Sequence, residues 1–332
     1  MTTGRPSVRN RPDGESPFAP HGVLPLAPAK FRDPRRTATG AERAHVPLVA
    51  LETLWFNTGT LCNLACTSCY IESSPVNDAL VYLRAADVAN YLDEIEDRGL
   101  PTREIGFTGG EPFMNPDIIA MLGDALARGH DVLVLTNGMK PMRRHEHAMR
   151  DLRAAHGDRL TLRISLDHYS PTVHEAERGP ASWKPALDGL RWLSTAGFSI
   201  AVAGRRLAEE SEDAARAGYR ALFRTQGIEI DAADHAALVL FPAMDAQADV
   251  PEISTDCWGI LGKSPVGIMC ATSRMVVHRK GEPAPRIAAC TLIPYDPGFD
   301  MGATLAQAGG DVALNHPHCA RFCVLGGASC SA

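Results

Sequence analysis

Three cysteines lie close together in the segment CNLACTSC, at Cys62, Cys66 and Cys69. This spacing supplies three thiolates and no fourth ligand, and the nearest histidines, His45 and His130, lie outside the segment. Structural zinc sites and electron-transfer [4Fe-4S] clusters normally have four protein ligands. The segment therefore predicts a [4Fe-4S] cluster with one iron left open to bind another molecule. A zinc site completed by a distant residue is the alternative.

The segment resembles the cluster-binding loop of the radical SAM enzymes, whose open iron binds the amino and carboxylate groups of S-adenosylmethionine (SAM). The resemblance implies a SAM-binding [4Fe-4S] cluster, reductive cleavage of SAM to a 5'-deoxyadenosyl radical, and an external reductant such as flavodoxin or ferredoxin. SAM and iron must be held in contact, because the electron reaches the sulfonium only at short range. Many family members carry an aromatic residue just before the third cysteine, where this chain has Ser68.

A second motif, GFTGGEPFMNP, places Gly109, Gly110 and Glu111 after the next predicted strand. Adjacent glycines allow a backbone to approach a ligand closely, and a carboxylate accepts hydrogen bonds from an ammonium group. The motif resembles the GGE element of the same family, which implies that these residues hold the methionine amino group of SAM. Taken alone, GGEP is also an ordinary turn between a strand and a helix.

Polar residues also follow the next two predicted strands. TNG occupies 136–138, and Ser165 and Asp167 share one face because side chains two apart in a strand point the same way. These segments resemble the family's TNG and SLDG elements, which implies that Asn137, Ser165 and Asp167 contact SAM or substrate. Arg178 resembles an arginine that pairs with the methionine carboxylate. The alternatives are a turn at Asn137, a satisfied strand-end hydroxyl at Ser165 and a solvated surface arginine at Arg178.

Strand-like and helix-like patterns alternate through the middle of the chain and predict the fold class α/β. Helices are expected near 84–98, from Pro116 onward after an N-cap at Asn115, and near 142–155, 182–196 and 209–225. They alternate with strands near 53–58, 103–108, 131–138, 159–167, 198–203 and 235–242. Repeated βαβ units predict a parallel sheet with functional groups at the C-terminal strand ends. The family resemblance implies a partial (β/α)6 TIM-like barrel with a small cysteine-rich C-terminal domain.

Six further cysteines lie in the C-terminal ninety residues: Cys257, Cys270, Cys290, Cys319, Cys323 and Cys330. The pair Cys270 and Cys290, followed by Cys319 and Cys323, predicts four thiolates around one cluster. The region resembles the SPASM/twitch extensions of radical SAM enzymes, which implies one auxiliary [4Fe-4S] cluster.

Other ligand sets remain open in this region. Cys330 is an alternative to Cys319 or Cys323, and Cys257 either covers an auxiliary iron or is an inert buried thiol. Zinc is the competing metal, because spacing does not separate zinc from iron-sulfur sites and two histidines precede Cys319. We expect three regions: a flexible N-terminal arm (1–48), a radical SAM core (49–245) and a twitch-like domain (246–332).

Composition narrows the class of protein. A net charge of -6 without a long Lys/Arg block argues against a nucleic-acid partner. The sequence has no apolar run of membrane-spanning length and begins without the apolar core of a signal peptide, which predicts a cytoplasmic protein with no membrane partner. In a reducing compartment, the nine cysteines are better explained as metal or redox ligands than as disulfides.

The sequence therefore predicts a radical SAM oxidoreductase that abstracts hydrogen from a small-molecule or peptide substrate. Peptide-modifying relatives often carry a winged-helix domain that binds a leader peptide, for which the Pro-rich arm leaves no room. This favours a small molecule, or a peptide delivered by a separate protein. The alternative is a non-catalytic iron-sulfur or zinc protein for electron transfer or scaffolding, which would not need an open iron together with the GGE element.

Overall fold

The computed structural model describes residues 16–19, 22–242 and 245–327. Its strands are β1 (His45–Val46), β2 (Thr53–Asn57), β3 (Glu104–Thr108), β4 (Asp131–Thr136), β5 (Leu160–Ser165), β6 (Ser199–Arg205), β7 (Leu238–Phe241), β8 (Ser273–Val277), β9 (Arg286–Ala288) and β10 (Val312–Ala313). Its helices are α1 (Ala85–Asp97), α2 (Ile118–Ala127), α3 (Lys140–Arg143), α4 (Glu146–His156), α5 (Pro171–Arg178), α6 (Trp183–Thr195), α7 (Glu212–Gln226) and α8 (Cys257–Leu261), and a π-helix spans Cys319–Leu325.

Eight strands form one sheet in the order β7-β6-β5-β4-β3-β2-β8-β9. Strands β2 to β7 are parallel and lie side by side in chain order, with helices between them. This arrangement confirms the α/β fold class and the partial (β/α)6 barrel, with a cysteine-rich region at the C-terminal end. Strand β8 adds a parallel neighbour to β2, and β9 pairs antiparallel with β8.

The two faces of the sheet are buried in different hydrophobic clusters. Alternate residues of β2, such as Leu54 and Phe56, pack with the apolar faces of the surrounding helices. Trp55, between them, points the other way and packs with residues of the C-terminal region such as Met275. The sequence 246–327 therefore completes the inner face of the sheet. The described helices include none that is long and apolar enough to cross a membrane.

The described part of the stretch 1–48 packs against the C-terminal region. Strand β1 pairs antiparallel with β10, and the fully buried Arg43 forms an ion pair with Glu252. Lys30 Nζ lies 2.7 Å from Asp249 Oδ1. These contacts join the first and last segments on one side of the sheet, while the predicted boundaries at 48 and 245 stay predictions.

A tight contact beneath the C-terminal strand ends leads to the first prediction. The fully buried Trp55 ring lies over Gly106, where a Cβ atom would come within 2.3 Å of Trp55 Cε3. Gly106→Ala should therefore lower the free energy of unfolding by about 1–3 kcal/mol, the usual cost of overpacking. Urea unfolding followed by circular dichroism measures this change.

The matched control is Gly123→Ala in α2, where a Cβ atom would meet its nearest neighbour at an ordinary 3.6 Å. This variant should be as stable as the wild type or slightly more stable, because alanine favours a helix. Equal stability of Gly106→Ala and the wild type would show that the Trp55 contact is not tight.

Candidate functional site

A cleft with about 1080 Å³ of empty volume opens at the C-terminal ends of the parallel strands. Polar residues from four successive strand ends face it, together with the cysteine loop that follows β2. Nine of the residues singled out in the sequence line this cleft: Cys62, Cys66, Cys69, Gly109, Gly110, Asn137, Ser165, Asp167 and Arg178. The structure thus brings together side chains that are far apart in the sequence.

The three cysteines of the loop are thiols at the edge of this cleft. Backbone N–H groups already face two of the sulfurs, because Leu64 N donates to Cys62 Sγ at 3.4 Å and Ser73 N donates to Cys69 Sγ at 3.3 Å. Burial raises the pKa of Cys62, and it raises that of Cys66 to about 12, although the nearby Arg178 opposes the second shift. Binding of a metal would therefore release protons from Cys62 and Cys66.

The two glycines at the end of β3 allow the cysteine loop to pass against this strand. A Cβ atom on Gly110 would lie 2.2 Å from Leu61 O, and one on Gly109, whose φ is +138°, would lie 2.6 Å from Gly59 O. In the structure, Gly110 N donates to Gly59 O at 2.8 Å, and Glu111 N donates to Leu61 O at 3.1 Å. Glycine is required here because the neighbouring backbone occupies the space of any side chain.

Glu111 is 1% exposed, and its carboxylate is bound to the protein. Oε1 accepts hydrogen bonds from Thr136 Oγ1 at 2.7 Å and from Phe113 N at 3.2 Å, and Oε2 accepts one from Asn137 N at 2.9 Å. Burial raises the pKa of this carboxyl group, and the hydrogen bonds oppose the shift. Glu111 therefore joins the ends of β3 and β4, and its predicted contact with the SAM amino group stays a prediction.

The side chain of Asn137 is also hydrogen-bonded within the protein, beside the cysteines. Its Nδ2 donates to Asn63 Oδ1 at 2.9 Å, and its Oδ1 accepts from Met139 N at 3.0 Å. The side chain thus connects the turn after β4 to the cysteine loop while it lines the cleft.

Asp167 and Arg178 form a buried ion pair at the cleft. Arg178 Nε donates to Asp167 Oδ2 at 2.6 Å, and Nη2 donates to Oδ1 at 3.3 Å. Burial alone would raise the pKa of Asp167, but Arg178 and Arg205 outweigh it and lower this pKa to about 2. The alternative of a solvated surface arginine is therefore wrong for Arg178. Its position at the end of α5 is also favourable for a cation.

The four cysteines predicted for the C-terminal cluster surround a second cavity of about 350 Å³ of empty volume: Cys270, Cys290, Cys319 and Cys323. His318 lines the same cavity. Burial raises the pKa of Cys270 to about 11, and it raises the pKa of Cys319 well above the ordinary value of a thiol. Cys257 begins α8, with its Sγ 3.6 Å from Ser254 Oγ, and Cys330 lies outside the described residues.

Among the described residues, no three His, Cys, Asp or Glu side chains are placed to hold a single metal ion. A multi-iron cluster makes a different demand, since its thiolates bind separate irons around a larger body. Thiols that line a cavity fit this second arrangement.

The sequence did not single out three residues of this region. Arg205 ends β6 and lines the cleft. It lies two residues after Ala203, which also lines the cleft, so the alternation of side chains along a strand could have indicated its position. Leu292 lines both cavities, and Glu177 is completely buried beside the cysteine loop. The last two have no local signal, because their positions depend on contacts between distant segments.

Comparison with known proteins bears directly on this cleft. Residues 56–216 match the family model of the Radical SAM superfamily. The chain carries a radical SAM domain. This result confirms the predicted membership of the superfamily, and members of this superfamily are enzymes that use a [4Fe-4S] cluster and SAM.

The chain is also similar to individual proteins over about half of its length. The antilisterial bacteriocin subtilosin biosynthesis protein AlbA of Bacillus subtilis is 32% identical over 168 residues, or 50% of this chain and 35% of AlbA. The mycofactocin maturase MftC of Mycobacterium tuberculosis is 32% identical over 169 residues, or 49% of this chain and 41% of MftC. The chain thus matches less than half the length of these relatives.

One solved structure supports the fold over most of the chain. Histidine-tagged anSMEcpe with bound AdoMet aligns with a TM-score of 0.56, covering 77% of this chain and 79% of that chain. The sequence identity is 13%, so this likeness concerns the fold alone.

The ion pair in the cleft gives the second prediction. Asp167→Asn should lower the free energy of unfolding near neutral pH by about 3 kcal/mol, because Arg178 then lacks its buried bidentate partner. The carboxyl pKa is about 2 in the fold against an ordinary 3.8, so its contribution is complete above the ordinary value and is lost as the pH falls toward about 2. The free energies of unfolding of the wild type and the variant should therefore converge in acid.

Urea unfolding at about pH 7 and about pH 2 measures this convergence. Asp188→Asn is the matched control, since Asp188 pairs with Lys184 on the exposed surface and such pairs contribute little. A stability difference that stays constant with pH would contradict the assignment of a low pKa to Asp167.

Proposed function

We propose that this protein cleaves SAM reductively in the cleft and uses the resulting radical to abstract hydrogen from a bound substrate. The observation that carries the proposal is that the thiols of Cys62, Cys66 and Cys69 open into the same cavity as the polar ends of β3 to β6. An electron carrier or scaffold has no need for such a cavity beside its cluster. An enzyme needs it to hold a second molecule.

The residues fit a three-thiolate [4Fe-4S] cluster next to SAM. The three thiols line the cleft together with the adjacent Gly109 and Gly110. When bound, the cluster and SAM would supply a 5'-deoxyadenosyl radical that abstracts a hydrogen atom from an unactivated C–H bond. The chain itself would bind, orient and shield these molecules.

The polar residues of the cleft would recognise SAM. Asp167 is held as a carboxylate by Arg178, so it can accept hydrogen bonds from ribose hydroxyls, and Ser165 lies on the same face of β5. Arg178 has donors beyond those that it gives to Asp167 and would use them for the methionine carboxylate. Asn137 would contact SAM from the turn after β4, while Glu111 keeps this turn in place.

The substrate would enter along an apolar wall. Phe241 at the end of β7 and Phe322 on the π-helix have ring centroids 5.4 Å apart, and both line the cleft with Leu292. We propose a peptide side chain as the substrate, since the matched relatives are named as a bacteriocin biosynthesis protein and a maturase. A small molecule is the other outcome that product analysis would reveal.

We further propose an auxiliary [4Fe-4S] cluster on Cys270, Cys290, Cys319 and Cys323. Their shared cavity is separated from the SAM cleft by Leu292, whose side chain lines both. An auxiliary cluster held there would supply an electron acceptor beside the cleft, which supports a net oxidation, dehydrogenation or crosslink. The reductant for the first cluster would be an external protein such as flavodoxin or ferredoxin.

SAM cleavage tests the proposal directly. Anaerobically reconstituted and reduced protein should form 5'-deoxyadenosine, and Cys66→Ala should abolish its formation because two thiolates cannot hold the catalytic cluster. Liquid chromatography with mass spectrometry measures this product. Cys257→Ala is the matched control and should retain activity, since this thiol lies at α8 and contacts Ser254. Normal product formation by the Cys62/Cys66/Cys69 triple variant would refute the proposal.

Iron analysis tests the auxiliary cluster separately. Wild-type protein should bind about eight irons per chain, and the triple variant should retain about half as a cluster whose spectrum does not respond to SAM. Cys290→Ala should lose turnover and make the C-terminal region sensitive to protease, because the metal stabilises this region. Mössbauer spectra that show one cluster, absent from the triple variant, together with stoichiometric zinc would contradict this assignment.

A further inference from the structure

A buried carboxylate accepts hydrogen bonds from the cysteine loop. Glu177, in the last turn of α5, is 0% exposed. Its Oε1 accepts hydrogen bonds from Ser68 N at 2.9 Å and from Ser68 Oγ at 2.7 Å, and its backbone oxygen accepts one from Thr67 N at 2.9 Å. These contacts fix the two residues that separate Cys66 from Cys69.

The same carboxylate reaches a segment near the start of the chain. Ser16 Oγ donates to Glu177 Oε2 at 2.6 Å, and Phe18, which is 3% exposed, follows in the same segment. The Phe18 ring lies 5.5 Å from the guanidinium carbon of Arg205, a distance at which a cation–π interaction is favourable. The N-terminal segment therefore covers the network from outside.

Arg205 joins the network to the cleft. Its Nη1 donates to Ser68 Oγ and lies 3.7 Å from Glu177 Oε1, while its Nε lies 3.5 Å from Asp167 Oδ1. Ser68 Oγ thus accepts from Arg205 and donates to Glu177. A buried carboxylate is costly unless it is paired and hydrogen-bonded, and Glu177 has both kinds of partner.

We propose that Glu177 is a positioning residue which, with Ser68, Arg205 and the segment Ser16–Phe18, holds the cysteine loop and sets the reduction potential of its cluster. This proposal rests on the proposed function, because it requires a cluster on Cys62, Cys66 and Cys69. A negative charge beside the loop stabilises the oxidised, more positive state of the cluster.

Two substitutions separate the charge of Glu177 from its hydrogen bonds. Glu177→Gln keeps an acceptor for Ser68 and removes the charge, so the midpoint potential should rise while the Kd for SAM stays within about threefold of wild type. Glu177→Ala removes both, so the Kd should increase about tenfold and the electron paramagnetic resonance (EPR) signal of the reduced cluster should broaden. Ser68→Ala keeps the carboxylate and should weaken SAM binding without the full shift in potential.

The N-terminal segment is tested with an internal control. Phe18→Ala should change the SAM Kd in the same direction as Glu177→Ala, whereas Leu24→Ala should match wild type because Leu24 is 74% exposed. All variants are full-length, anaerobically reconstituted proteins, and iron content, EPR-monitored potential and SAM affinity are measured on each.

The outcomes distinguish this proposal from the proposed function. If the wild-type cluster shows no EPR response to SAM, the proposed function fails. If the wild type responds, and Glu177→Gln, Glu177→Ala and Ser68→Ala all keep its potential, EPR signal and SAM affinity, the positioning role alone is refuted. Should Glu177→Ala not fold, the potential of Glu177→Gln and the SAM affinity of Ser68→Ala still decide the question.

Discussion

The close contact between two stretches of backbone determines the rest of this site. The loop that leaves β2 passes so near the end of β3 that Gly109 and Gly110 have no space for a side chain. Two backbone hydrogen bonds, to Gly59 O and Leu61 O, close the contact. Because the loop is fixed immediately before Cys62, its thiols face the carboxyl ends of the parallel strands, where the polar side chains of β4 to β6 also meet.

Much of the fold and of the cleft could be predicted because their signals are local. The helical pattern at 84–98 matches α1 at Ala85–Asp97, and the pattern at 182–196 matches α6 at Trp183–Thr195. The strand-like runs predicted strand ends near Thr136 and Ser165, and parallel strands bring such ends to one edge of a sheet. The cysteine spacing identified the sulfur-rich loop directly.

Other features could not be predicted because they depend on distant partners. Strand β8 pairs with β2 across more than half of the chain, and no local pattern of Ser273–Val277 indicates this neighbour. Glu177 lies in the last turn of α5 and had no local signal in the sequence, because contacts with the distant Ser68 and Ser16 bury it. The motif predicted Glu111 as a SAM contact, but it gave no indication of the hydrogen bonds that this carboxylate accepts from Thr136 and Asn137.

The central claim is that the loop cluster has an open iron that binds SAM in the cleft. Electron-nuclear double resonance on the reduced protein, with SAM labelled by ¹⁵N in the amino group and by ¹⁷O in the carboxylate, measures this binding directly. We expect hyperfine coupling from both nuclei, because both groups would bind the iron that carries no thiolate. Absence of coupling from either nucleus, in protein with a fully reduced cluster and saturating SAM, would contradict the account.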